Sequence, residues 1–213
     1  MKIIYSEGVF DYRALRLLVG LIAFSLPIVV SILSSDPLSS ISASYYTEAR
    51  DAFVGMLFIV SAFLWAYNGH SAREARTSKF AAIAAILVAL FPTARNFEPT
   101  TLESTIHYGA AIVLFSILAY FCFVYFRKDI KGLPGKKGKR SKIYFFCGSV
   151  MVLCMLIIVT ANFFLKEEEM VDFRVTYWAE GIALFAFGIA WIIAGKFFSV
   201  FVDDEEELRL FSE

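Results

Sequence analysis

Long apolar runs separated by short polar stretches set the pattern of this chain. Six such runs fall near residues 14–34, 51–68, 79–94, 105–126, 143–165 and 176–198. Each reaches or approaches the roughly 20 residues that cross a hydrocarbon core as a helix, the third being the shortest. None shows the period-two alternation of a lipid-embedded barrel strand, so an outer-membrane barrel is not expected. The pattern predicts an all-α bundle of six transmembrane helices, one domain over residues 1–213.

Composition points the same way. The chain is 59% hydrophobic with a mean hydropathy of +0.67 and 23 Phe, beyond the range of ordinary soluble domains. The first run follows a segment carrying Asp11 and Arg13 and continues past Pro27 without a small-residue cleavage pattern. It reads as a retained helix and not as a removable signal peptide. Pro27 predicts a kink, which neighbouring helices in a bundle tolerate.

Net charge is zero, but the charges are unevenly placed. Residues 127–142 contain eight of the twenty basic residues, namely Arg127, Lys128, Lys131, Lys136, Lys137, Lys139, Arg140 and Lys142. The positive-inside rule assigns this loop to the cytoplasm. Counting spans outward from it puts Arg73, Arg76 and Lys79 inside, together with both termini. Loops 35–50, 95–104 and 166–175 then face outward, with only Arg50, Arg95, Lys166 and Arg174 as basic residues. The expected location is the cell inner membrane, multi-pass, with N and C termini cytoplasmic.

The basic loop reads as a topology determinant with affinity for anionic lipid heads. It lacks interleaved aromatic residues, so nucleic acid is not an expected partner, and membrane lipids are. Pro134-Gly135 marks a turn in an expected flexible segment, 132–138. The run from Asp203 to Glu207 reads as a solvated acidic tail or as a partner of the basic loop. Cys122, Cys147 and Cys154 all fall within spans and form no Cys-x-x-Cys pair, so buried inert thiols are expected.

An ionisable residue inside a span is a candidate for function, because charge is costly there. Such residues gather at the outward ends of the runs. Asp51 opens the second run after Arg50, Arg95 and Asn96 close the third, and His107 lies about one turn into the fourth. Asn162 lies about one turn before the end of the fifth. Glu180 lies about one turn into the sixth, roughly 6 Å below its start. Mid-depth positions offer only hydroxyls and thiols such as Ser25, Ser61, Ser116 and Cys154, a pattern that weighs against a coupled transporter. The polar groups describe a pocket open to one side.

Arg174, Tyr177 and Glu180 recur every three residues and tend to share a helix face. Glu180 is expected to be held by an arginine, from its own helix or from Arg95 or Arg50. Asp51 at a helix start also suits a plain cap on free amides and the positive dipole end. The first outer loop carries Tyr45, Tyr46 and a hydroxyl at nearly every position. It reads as an interfacial lid, either anchoring the bundle or covering the ring and donating to a lipid headgroup. A ligand-binding ring of Tyr46, Arg50, Asp51, Arg95, Asn96, His107, Asn162, Arg174, Tyr177 and Glu180 is therefore expected. A single histidine with carboxylates is an uncommon zinc set, and no metal site is expected. The residues identify no cofactor.

The segment Ser40-Ile-Ser-Ala-Ser44-Tyr-Tyr-Thr-Glu-Ala-Arg50-Asp-Ala-Phe-Val-Gly55 resembles one from an uncharacterised family of bacterial multi-spanning inner-membrane proteins. Ala89-Leu-Phe-Pro-Thr93, Ile106-His107 and the Glu180, Trp191, Gly195-Lys196 pattern share that resemblance, which implies a membrane fold and no particular activity. A more distant likeness is to CREST-type membrane hydrolases, with Ser44, Asp51 and His107 in the matching roles. Their His-x-x-x-His pair has no counterpart here, and the span number is one short.

Three functions follow as expectations. The first is an outward-facing pocket binding a lipid headgroup or small polar ligand through Arg50, Arg95 and Arg174. The second is a membrane-embedded hydrolase of lipid amides or esters, with His107 or Glu180 as base and Asp51 orienting it or binding metal. The third is a channel or transporter built from two inverted three-helix halves. Against all three stands a ring that only pins helix ends together.

Overall fold

Every long apolar run forms a helix, and α3 and α5 begin in the polar residues ahead of their runs. The computed structural model describes residues 12–202. They form α1 (Tyr12–Leu33), α2 (Arg50–Ala66), α3 (Ala72–Leu90), α4 (Leu102–Phe123), α5 (Gly135–Phe164), α6 (Glu167–Asp172) and α7 (Val175–Ala194). Short 3-10 turns occupy Ser42–Tyr46, Tyr125–Arg127 and Ser199–Phe201. The described residues contain no strand. The acidic tail from Asp203 onward lies outside them.

Two helix starts differ most from the sequence expectation. Helix α3 starts at Ala72 because the Ser71 side chain accepts the Glu74 amide and caps it. Helix α5 starts at Gly135, directly after Pro134, so half of the basic loop is helix and not a flexible segment. Lysine and arginine are good helix formers, and they carry the helix across Gly138 into the apolar run. Pro27 lies inside α1, which runs on to Leu33. The short α6, in the loop between α5 and α7, has no counterpart among the apolar runs.

Four helical stretches are long and apolar enough to cross a membrane: Arg13–Leu33, Leu102–Arg127, Gly135–Phe164 and Val175–Ala194. Helix α2 has 17 residues, and α3 carries Arg73, Glu74, Arg76 and Lys79 in its first turns. These two fall short by length and by charge respectively.

The long helices pack in chain order around a ring: α1 on α2, α2 on α3, α3 on α4, α4 on α5, α5 on α7, and α7 back on α1. The closing contact is backbone to backbone. A Cβ on Gly20 would lie 2.8 Å from the Gly188 carbonyl, and one on Gly188 would lie 2.8 Å from the Gly20 carbonyl. Small residues allow such close approach, which is how helices gain packing where solvent supplies little drive to associate.

Many large apolar side chains face outward from the ring. Phe58, Ile59 and Trp65 on α2, Phe80 and Ile83 on α3, and Phe146 and Leu153 on α5 are all exposed. Such a continuous surface is a liability in water and neutral against lipid tails. Inside, at the end carrying the basic loop, the rings of Tyr67, Phe121 and Phe126 each lie 5.5 Å from that of Trp191.

Candidate functional site

At the end away from the basic loop, α7 grips the first connecting loop. Arg174 adopts the left-handed conformation (φ 50°) just before α7 begins. Its Nε donates to the Leu38 carbonyl at 2.7 Å, and the Tyr177 amide donates to the Ser39 carbonyl at 3.0 Å. One turn further on, the Glu180 carboxylate accepts the Ile41 amide at 2.7 Å and the Ser42 amide at 3.2 Å. The Ser42 hydroxyl adds a longer contact of 3.4 Å. Residues 174, 177 and 180 therefore share a face, as their spacing predicts, and together they fix the loop backbone from Leu38 to Ser42.

Among the described residues no arginine holds Glu180, contrary to the sequence expectation. Two amides at the start of the Ser42–Tyr46 turn offer directed donors at lower cost in ordered side chain. The Arg174 guanidinium instead lies with its carbon 3.9 Å over the Tyr177 ring, and the Tyr177 hydroxyl meets Ser31 Oγ at 2.7 Å.

A second group lies on the other side of the loop. The guanidinium of Arg95 sits 4.5 Å over the ring of Tyr46, whose hydroxyl donates to the Thr93 carbonyl at 2.6 Å. The Ser39 hydroxyl donates to Asn96 Oδ1 at 3.0 Å. Tyr46, Arg95 and Asn96 line a cavity of about 200 Å³, with Asp36, Ser39 and Thr47 completing its polar wall. Burial pushes the Tyr46 phenol above its usual value, against the pull of Arg95. Arg50 stacks 4.4 Å over Tyr45 and donates to its hydroxyl at 3.0 Å.

The remaining members of the expected ring are elsewhere. Asp51 is exposed in the first turn of α2, where no side chain caps the helix, so it can act only on the dipole end. His107 is buried, with Nδ1 2.7 Å from the Phe91 carbonyl at the end of α3. Asn162 is exposed and donates to the Ile158 carbonyl of its own helix. His107 and Glu180 thus bond to different backbone segments, and no acid–base pair forms from the three catalytic candidates. Among the described residues, no group of three His, Cys, Asp or Glu side chains is placed to hold a metal ion.

The most buried ionisable cluster lies at the opposite end. Arg16 and Glu74, 7% and 4% exposed, approach to 3.8 Å. The Tyr67 hydroxyl stands between them, accepting from both Arg16 Nε (3.0 Å) and Nη2 and donating to Glu74 Oε1 at 2.6 Å. Arg16 also donates to the Ala194 carbonyl at 3.2 Å, and the Glu74 carboxylate accepts the His70 amide at 3.0 Å. Gly69, with φ +59°, lets the turn fold over Glu74, whose side chain occupies the space a Cβ would need. Tyr67 lies one residue past the end of α2. Burial pushes its phenol well above the ordinary value, and the guanidinium only partly opposes this. Tyr67 therefore stays a donor.

Two signals in the sequence point to this cluster. Arg16 is an ionisable residue inside an apolar run, the same criterion that singles out Glu180. Ser71-Ala-Arg-Glu74 has the Ser-x-x-Glu spacing of a capped helix start, which ties Glu74 to a fixed turn. Nothing in the sequence marks Tyr67 as the group that joins them.

The fold and its apolar exterior define an all-helical protein with four helices suited to crossing a bilayer. The chain matches no protein-family model, no curated protein and no solved structure.

Proposed function

We propose that this is a six-span inner-membrane protein with both termini cytoplasmic, and that its outward end binds a lipid headgroup or small polar ligand. The exposed apolar side chains of α2 and α3 support counting them as spans. At 1.5 Å per residue, α2 covers roughly 26 Å, close to the hydrocarbon thickness. The charged first turns of α3 belong with the basic loop at the cytoplasmic surface.

One observation carries the binding role. Arg95, held flat over Tyr46, shares the wall of the 200 Å³ cavity with Asp36, Ser39 and Asn96. A cation and a carboxylate in one small polar cavity suit a ligand bearing both charges, such as the phosphate and amine of a zwitterionic phospholipid head. The cavity opens beside Tyr45 and Tyr46, residue types favoured at headgroup level.

Native mass spectrometry of the detergent-purified protein tests the binding role. The expected result is a co-purifying zwitterionic phospholipid that Arg95→Ala and Asp36→Ala each deplete. If both variants keep the lipid profile of the parent protein, the outward site does not exist. Cysteine labelling tests sidedness, because Cys122, Cys147 and Cys154 are buried. Lys139→Cys should react from the cytoplasm and Glu98→Cys from the outside.

A further inference from the structure

The carboxylate and the cation of the outward cavity are each set in place without pairing. Asp36 stands between two fixed points of the first connecting loop. On one side, the amide and hydroxyl of Ser35 donate to the Glu48 carboxylate at 3.4 and 3.1 Å. On the other, Arg174 holds the Leu38 carbonyl at 2.7 Å. Arg95 lies over Tyr46, whose own hydroxyl is tied to the Thr93 carbonyl. Among the described residues, Asp36 and Arg95 form no ion pair with each other, although both line the same cavity.

The aromatic groups at this end already carry cations. Among the described residues, Tyr46 is the only aromatic ring in the cavity wall, and Arg95 lies 4.5 Å over it. Nearby, Tyr45 carries Arg50 at 4.4 Å and Tyr177 carries Arg174 at 3.9 Å. A quaternary ammonium has no N–H to donate and is recognised by a cage of open aromatic faces. This wall offers no such cage. It offers acceptors instead, in the Asp36 carboxylate, the Asn96 amide oxygen and the Ser39 hydroxyl. Ser39 gives its proton to Asn96 Oδ1, so its own oxygen is left to accept. A primary ammonium presents three N–H donors, the complement of that set.

We propose that the outward cavity selects a phosphoethanolamine group, with its primary ammonium, and discriminates against the trimethylated counterpart, phosphocholine. The inference rests on the reading of this cavity as a headgroup site and adds the determinant of its selectivity. Asp36 receives the ammonium, and Arg95 meets the phosphate. Attraction between charges does not separate the two heads, because both nitrogens are positive at neutral pH. Hydrogen bonding does. Each methyl on the nitrogen replaces an N–H donor by a group that desolvates the carboxylate and gives no hydrogen bond in return. Affinity therefore falls stepwise as methyls are added. The same group occurs on a lipid and on soluble phosphoethanolamine, and the wall recognises both by the same contacts.

Native mass spectrometry of the full chain in a non-ionic detergent, with equimolar lipids added, reads the preference. Phosphatidylethanolamine should be retained about tenfold over phosphatidylcholine, with the mono- and dimethylated lipids between them. Asp36→Asn should bring that ratio to within about twofold. Arg95→Ala should weaken both lipids. Glu168→Gln, exposed on α6 outside the cavity wall, should leave the ratio unchanged. Calorimetry with soluble phosphoethanolamine and phosphocholine assigns the source. Binding of the soluble pair in the same order makes the ligand a small molecule, and a preference confined to the lipids makes it a lipid head. Equal retention of the two lipids by the parent, with both lowered in Arg95→Ala, overturns the selectivity and leaves the headgroup reading standing. A preference that survives in Asp36→Asn overturns it as well. If the parent retains neither lipid and binds neither soluble probe, the headgroup reading falls and this inference with it.

Discussion

Glu180 accepts the backbone amide of Ile41 at 2.7 Å across 139 positions of sequence. This bond, with those from Ser42, makes the first connecting loop part of α7's surface instead of a free connector. Replacing Glu180 by alanine leaves two loop amides without their acceptor and should cost about 1–3 kcal/mol. Glu180→Gln keeps an acceptor oxygen and should lose less. Thermal unfolding in detergent, with protease cleavage between residues 35 and 49 as a second readout, checks this. Equal stability of parent and Glu180→Ala would refute the clamp.

The α1–α7 crossing makes a sharper prediction. Gly188→Ala should destabilise the bundle, because the new Cβ meets Phe24 and the Gly20 carbonyl at 2.8 Å. Gly181→Ala on the same helix should be neutral or slightly stabilising, since its nearest neighbour is Pro27 Cβ at 3.9 Å. Melting temperatures of the two variants should move apart, and the same loss in both would show that the crossing has no special closeness.

The buried pair at the other end predicts non-additivity. Removing one partner strands a charge, so Arg16→Met or Glu74→Met alone should cost about 3–5 kcal/mol. The double variant should recover much of that loss. A double-mutant cycle read from unfolding in detergent measures the coupling, and simple addition of the single effects would mean that the two charges do not depend on each other.

Tyr67 sets an alkaline limit. Burial holds its phenol above the ordinary tyrosine value, so the unfolded chain ionises first as pH rises. Between the two values the unfolded state binds fewer protons, and stability falls with rising pH. The contribution is complete below about pH 10 and fades above it. Melting temperature against pH, followed from mildly to strongly alkaline buffer, should bend downward in the parent protein and bend less in Tyr67→Phe. Identical curves would argue against a buried phenol.

Much of the architecture was legible because lipid-facing helices need long apolar runs, and those runs are visible without any structure. The helix ends were less so. The start of α3 depends on the Ser71 cap, and the start of α5 on how far Lys136 to Lys142 continue a helix in water. The expected ring was legible as a set of positions near helix ends but not as directions. Arg174, Tyr177 and Glu180 came together because one helix carries them at a fixed spacing. His107 and Asn162 share their depth yet point into a helix junction and away from the bundle, which depends on the rotation of α4 and α5. Local patterns mark Arg16 and Glu74 one at a time, but not that Tyr67 joins them, since the three come from one helix start, one turn and one capped helix.

The Gly20–Gly188 contact also bears on the order in which the molecule is made. It joins the first long helix to the last, so α1 waits in the bilayer until α7 has left the ribosome. During that interval Arg16 lacks the Ala194 carbonyl, and the face of α1 around Gly20 lies open to any neighbouring helix. Assembly therefore finishes where it began, with a late seam whose failure would leave a half-closed bundle open to foreign partners and to membrane quality control.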